Sequence, residues 1–273
     1  MELNKIVASL LLVLVTFGTA YADPLLSDKL KSLHLTSSEK RLLEKVKATS
    51  KDASNITLAT FPDLIAAYGE KAASQKKLED LNLAVDLVIA LNQDQKVLSD
   101  AMAAEIADYL VYPLRSKDNW EEESKIIERT IPIFVKGNDY DSGAVYAMQI
   151  GDAYRKAKQL DKALALLNDA LIYAEKALGP DHVYLKDYFN SLGKVHHQRG
   201  EADDAIRYYK RAEEVLKNAK KPDEKLMAYY GLKVAVVLES DGRKEEAAAQ
   251  IEYLKSTYSK TALQWAFREM QPH

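Results

Sequence analysis

The side chains able to do chemistry here are histidine, carboxylate, lysine and tyrosine, because the 273-residue chain has no cysteine. Thiol catalysis and thiolate ligation are thereby excluded. His196 and His197 are adjacent, so on a helix they point about 100° apart. Gripping one metal needs residues three or four apart on one face. His196 is therefore expected in a helix seam and His197 toward solvent or a groove. His182 follows Asp181 in a connection, where Asp181 is expected to cap a helix. His34 and His273 stand near the chain ends without partners. The carboxylate runs "WEEE" (Trp120 to Glu123) and "ADD" (Ala202 to Asp204) fall at first turns of helices, where negative charge complements the helix dipole. Catalytic acid–base pairs need environments that split their pKa values, and no pair here has that setting. No phosphate-cradling glycine loop, G-x-S-x-G elbow or H-E-x-x-H run occurs. The reading is no catalytic residue, no metal ligand and no cofactor.

Positioning elements come from an internal echo. "QIGDAYRKAKQLDKALALLNDALI" (Gln149 to Ile172) is answered by "SLGKVHHQRGEADDAIRYYKRAEE" (Ser191 to Glu214). Gly151 and Gly193, Ala163 and Ala205, and Ala170 and Ala212 each lie 42 residues apart. The frame continues to Ala235, Ala247 and Leu254, so units start near Ala144, Lys186 and Ala228. Each unit reads as two helices; the middle one predicts them at about Tyr184 to Gln198 and Ala202 to Asn218. Gly200 supplies the turn's backbone freedom, and the small residues Gly193 and Ala205 allow close approach. Leu192, His196, Ile206 and Tyr209 fill the seam. Such a pair must bury its other face on a neighbour.

The pattern Leu192-Gly193, His196, Ala205, Tyr209 and Ala212, with Ile150-Gly151, Tyr154, Ala163, Leu167 and Ala170 before it, resembles the tetratricopeptide repeat (TPR). "ALGPDHVYL" (Ala177 to Leu185) resembles the longer linker of the 42-residue, kinesin-light-chain-like subclass. The third unit departs, with Ala235, Leu238 and Leu254 in place of glycine, an aromatic and alanine. The resemblance implies an all-α, right-handed superhelical α-solenoid of helix-turn-helix repeats over residues 144–258. It also implies binding of a peptide or partner helix in the concave groove lined by each unit's first helix. The corresponding residues are Gln149, Asp152 and Arg155, then Asn190, Lys194 and His197, then Tyr229 and Lys233. Among the crowded tyrosines, Tyr229 is expected to project into that groove as an amphipathic anchor. The chaperone-binding subfamily's carboxylate clamp would fall on Met148, Asp152, Ser191, Tyr229 and Lys233. Only Lys233 suits it, so no such clamp is expected. The groove reads as mixed in charge, with hydrogen bonds and aromatic contacts outweighing net attraction.

Upstream, residues 36–143 are expected to be helical. Two degenerate TPR-like repeats, near Gly69 and Ala104, compete evenly there with an unrelated bundle. "NWEEESKIIERTIPI" (Asn119 to Ile133) reads as a second helix, Thr36 and Glu39 as a capping box, and "TSKDASN" (Thr49 to Asn55) as a linker. "SKTALQWAFREM" from Ser259 is expected to cap the stack within 259–273. At the other end, Lys5, an apolar run to about Ala20, and Ala20-Tyr21-Ala22 predict a signal peptide over 1–22 cleaved after Ala22. The run is shorter than the ~20 residues of a comfortable bilayer span, so no stable membrane anchor is expected. Residues 23–35 read as a flexible leader. The formal charge of −3, with interspersed signs, gives no electrostatic footprint for nucleic acid.

These features predict a non-enzymatic interaction module, periplasmic or secreted, with a protein or peptide partner in the envelope or secreted fraction. Asn55-Ile56-Thr57 would matter as a glycosylation acceptor only in a eukaryotic lumen. Two alternatives stand beside this reading. One is a small-ligand-binding protein or enzyme with its site in the divergent N-terminal region, and the other is a self-associating structural protein.

Overall fold

The computed structural model describes residues 77–271 apart from 94–97 and 115–118, together with single positions between 37 and 75. The expected signal segment, leader, capping box, linker and Gly69 lie outside the described residues. Among the described residues ten helices follow one another: α1 (Leu78–Leu91), α2 (Asp100–Val111), α3 (Trp120–Lys136), α4 (Tyr140–Lys156), α5 (Leu160–Leu178), α6 (Leu185–Arg199), α7 (Ala202–Lys217), α8 (Glu224–Ser240), α9 (Lys244–Thr257) and α10 (Lys260–Glu269). From α2 to α9 each helix packs on the next, α1 packs on both α2 and α3, and α4 also touches α6, so α4/α5, α6/α7 and α8/α9 form stacked hairpins. The result is an all-helical, TPR-like solenoid.

The repeat is visible in the turns. Lys158, Gly200 and Gly242, spaced at the 42-residue interval, all have left-handed backbone with φ of 64°, 77° and 79°. In each turn the next residue's amide reaches back five positions: Gln159 to the Tyr154 carbonyl, Glu201 to His196 and Arg243 to Leu238, each at 2.9 Å. That bond satisfies a carbonyl orphaned at the helix end. Glycine holds the conformation without strain, whereas Lys158 holds it against its own Cβ.

Helix starts follow local rules at four places. Ser99, Asp139, Asp223 and Ser259 each accept a backbone N–H in the first turn of the helix they precede. Asp181 does not cap a helix, contrary to the sequence expectation. Helix α6 starts at Leu185 without a side-chain cap, while Asp181 accepts from Arg211 Nη2 at 2.6 Å. That bond pins the long α5–α6 connection to α7.

The hairpin seams close as small-residue packing requires. A Cβ on Gly151 would stand 2.7 Å from Leu167, and one on Gly193 would stand 2.6 Å from the Tyr209 ring. In the third hairpin the obstructed glycine is Gly231, whose Cβ would lie 2.4 Å from Leu254. Ala235, the small residue in the 42-residue frame, is buried in the same helix. Gly231 precedes Ala235 by one turn of α8, so the close glycine contact in this hairpin lies farther from its turn. One core runs from Ile65 to Ala247. A smaller one joins Ala228 and Leu232 of α8 and Leu254 of α9 to Ala262 and Ala266 of α10. Helix α10 thus lies mainly on α8. No described helix is long and apolar enough to cross a membrane.

Polar struts join neighbouring hairpins. Tyr146 donates to Asp108 at 2.6 Å, Ser191 Oγ to Asp152 at 2.9 Å, and His197 Nε2 meets Ser240 Oγ at 3.0 Å. Along the turn edge Arg199 pairs with Asp161, and Arg243 with Asp203 at 2.7 Å. Upstream, half-exposed Lys136 reaches Asn92 and Asp100 at 2.8 and 2.9 Å, tying α3 to the end of α1 and the start of α2.

Candidate binding face on the first helices

Helices α4, α6 and α8 are the first members of their hairpins. Side chains three or four positions apart share one helix face, so Asp152 and Arg155, Asn190, Lys194 and His197, and Tyr229 and Lys233 form three short rows. Asp152 is fixed twice. Its Oδ1 accepts from Arg155 Nε at 2.8 Å and its Oδ2 from Ser191 Oγ at 2.9 Å. Ser191 is buried, so that strut is shielded from water.

Beside it stand two half-buried lysines. Burial lowers the Lys194 pKa, and the charges of Arg155 and Lys156 push it the same way while Asp152 opposes them. Lys233 is lowered to about 8, first by burial and then by the charges of Lys194 and Arg155. His197 is also lowered, by burial and then by Lys233. The Lys233 ammonium lies 4.9 Å from the Tyr229 ring centroid and 5.5 Å from that of Tyr209. These rings supply partial compensation through their faces. Burial raises the phenol pKa of Tyr209 and of Tyr229, keeping both neutral near pH 7.

Six of the eight residues expected from sequence thus share one electrostatic neighbourhood: Asp152, Arg155, Lys194, His197, Tyr229 and Lys233. Gln149 stands apart. It is exposed and borders a shallow hollow of about 290 Å³ with Leu114, Trp120 and Ile127. Asn190 is half-buried one turn before Lys194, and its Oδ1 is buried without a hydrogen-bond partner. Ser191 and Tyr209 belong to the face although they were read only as a clamp position and a seam residue. Both signs of charge meet on this face: Asp152, engaged by Arg155 and Ser191, and Asp187, whose charge also reaches Lys194, stand among Arg155, Lys194 and Lys233.

The histidine pair divides as adjacency demands. His196 is buried, stacks on Tyr208 with centroids 5.2 Å apart, and its Nδ1 lies 2.6 Å from Glu201. His197 lies beside Lys233. His196, Glu201 and Asp204 bring ligand atoms within 4.8 Å of one another. Both carboxylates are taken up by arginine, Glu201 by Arg199 at 2.8 Å and Asp204 by Arg207 at 2.6 Å. Glu201, held by His196 and Arg199, closes the α6–α7 turn, whereas Asp204 pairs with Arg207 within α7. A hollow of about 700 Å³ lies elsewhere, between α8, α9 and α10, and is lined largely by apolar groups such as Val236, Ala248, Ile251 and Phe267.

Residues 143–218 match the family model described as tetratricopeptide repeat. The fold is similar to the crystal structure of BtubC (BKLC) from P. vanneervenii, at 13% identity and a TM-score of 0.51, covering 87% of this chain and 92% of that one. A putative kinesin light chain from Podosopora anserina, with nearly identical TPR-like repeats, aligns at 14% identity and a TM-score of 0.47, covering 70% of this chain and 92% of that one. No curated protein sequence matches the chain.

Proposed function

We propose that the protein is an exported, non-enzymatic scaffold that holds a polypeptide, as an extended peptide or a partner helix, in the groove lined by α4, α6 and α8. Tetratricopeptide repeats commonly mediate protein–protein interaction, and residues 143–218 match that model. The observation that carries the reading is the convergence of Asp152, Arg155, Lys194, Tyr229 and Lys233 from three successive hairpins, with Tyr209 beneath the Lys233 ammonium. No single helix could assemble such a surface, and nothing in the core requires two lysines to be half-buried there.

The repeats are of the 42-residue kind, the hairpin of α2 and α3 is a degenerate repeat, and α10 caps the array. The N-terminal 22 residues direct export to a periplasm or to the medium, where the partner resides.

A pull-down from envelope and secreted fractions with the full chain, compared with the triple variant Asn190→Ala/Lys194→Ala/Tyr229→Ala, tests the groove. The wild type should recover a protein that the triple variant, folded by circular dichroism, does not. Equal recovery of all partners by both would remove the groove from the account.

A further inference from the structure

We infer that the open face formed by α8, α9 and α10 pairs with the same face of a second copy of this chain about a two-fold axis. The inference stands apart from the groove on the first helices and uses none of its residues. Helices α5 and α7 are each followed by a first helix, α6 and α8, that packs firmly against them. Helix α10 instead lies on α8 and only grazes α9. The difference shows in burial. Ala248 and Ile251 of α9 stand 42 residues after Ile206 and Tyr209 of α7. Ile206 and Tyr209 are buried, whereas Ala248 is exposed and Ile251 half-buried. Helix α9 buries only Ala247 and Leu254. Val236 of α8 and Phe267 of α10 are 44% and 61% exposed beside the same hollow of about 700 Å³. An apolar face of this kind in a stacked array marks a surface that another polypeptide covers.

Two features make the face complementary to itself, as a two-fold contact requires. Phe267 is a large apolar knob at the rim, and small side chains, Ala235, Ala247 and Ala248, leave room in the hollow beside it. The Phe267 ring of each copy enters the hollow of the other. Glu239 and Lys244 also line the hollow, and neither side chain has a hydrogen bond or ion pair among the described residues. Across the two-fold axis the Glu239 carboxylate of each copy meets the Lys244 ammonium of the other. A partner of one sign would satisfy one of these charges and repel the other, whereas a second copy satisfies both. The remaining charge on the lining, Glu252, is already taken by Lys255 at 2.7 Å.

Sedimentation equilibrium of the full chain over a range of concentrations tests this. The wild type should pass from monomer to dimer and no further. Phe267→Asp, at an exposed position, should weaken dimerisation about tenfold or more while the thermal melt of the dilute monomer stays unchanged. Glu239→Lys and Lys244→Glu should each weaken it alone, because each leaves the two faces with charges of one sign. An equimolar mixture of those two variants should restore association as a mixed dimer. A wild type that stays monomeric overturns the inference and leaves the face to another molecule. A dimer that Phe267→Asp leaves intact, or charge variants that mixing does not rescue, overturns it as well. Growth beyond the dimer means head-to-tail contact, with the same consequence. None of these outcomes bears on the groove, whose pull-down turns on other residues.

Discussion

The ring of Tyr209 lies where a side chain on Gly193 would have to stand, with the missing Cβ only 2.6 Å from the ring. The same ring sits beneath the Lys233 ammonium at 5.5 Å. One tyrosine on a second helix therefore closes its own hairpin and underlies the binding face contributed by the next.

Gly193→Ala should accordingly destabilise the protein. Adding a methyl gains up to about 1 kcal/mol in helix propensity, but forcing a buried ring to move costs about 1–3 kcal/mol. Gly143→Ala is the contrasting case, because its nearest neighbours would stand at 3.5 Å, ordinary contact. It should be neutral or stabilising by up to about 1 kcal/mol. Urea unfolding of both variants reads the difference, and equal midpoints would contradict the seam described above.

Lys158→Gly should stabilise the protein by up to about 1 kcal/mol. It relieves the left-handed strain at φ 64°, against a smaller entropic cost of the added chain freedom. Glycine already stands at the two equivalent turns. A lower melting temperature would show that Lys158 makes a stabilising contact beyond its backbone.

Lys233→Met should raise stability at pH 7, with the gain shrinking as pH rises from about 8 toward the ordinary lysine range. The folded-state pKa is about 8, against 10.5 for an ordinary lysine. At pH 7 both states are protonated, and the folded state alone bears the buried charge. Through pH 8 to 10.5 the folded state loses its proton first, so the unfolded state binds more protons and wild-type stability rises. Melts of both proteins at pH 7 and pH 10 check this. A gain independent of pH would assign it to packing.

Asp152→Asn should lower the Lys194 pKa further, because it removes one of the two negative charges, Asp152 and Asp187, that oppose the effect of burial there. NMR titration of the lysine side chains reads the shift, and an unchanged Lys194 titration would show that Asp152 acts only through Arg155 and Ser191.

Ala266→Asp should detach α10. Ala266 is fully buried against the small core shared with Ala228 and Leu232 of α8, and a lone buried carboxylate is costly. The exposed apolar face of α8 should then raise light scattering, without loss of the helical signal from α4 to α7. Unchanged protease sensitivity near residue 259 would show that α10 is dispensable to the stack.

The hairpins were legible because their packing repeats. Gly151 and Gly193 each meet a bulky residue 16 positions later, Leu167 and Tyr209, in one frame. In the third hairpin buried Ala235 keeps the frame, and a further close contact, Gly231 against Leu254, lies one turn earlier, outside the repeated pattern. A search for glycines facing leucine at any offset would have found it. The rows on α4, α6 and α8 followed from helical spacing, but the partners of their charges did not. Those depend on Ser191 engaging Asp152 from the next hairpin, and on which charges lose water, and both are properties of the stack. Gln149 was assigned by frame alone, and its neighbours Leu114 and Trp120 come from the less regular region, where the frame carries least information.

The struts between hairpins give the groove a length scale. Asp152 and Lys233 belong to units separated by two joints, one bridged by Ser191 to Asp152 and the other by His197 to Ser240. Any molecule touching both residues spans those joints like the jaws of a caliper. It fixes the local pitch of the coil when it arrives, and a change of pitch elsewhere along the rod alters how tightly it is gripped.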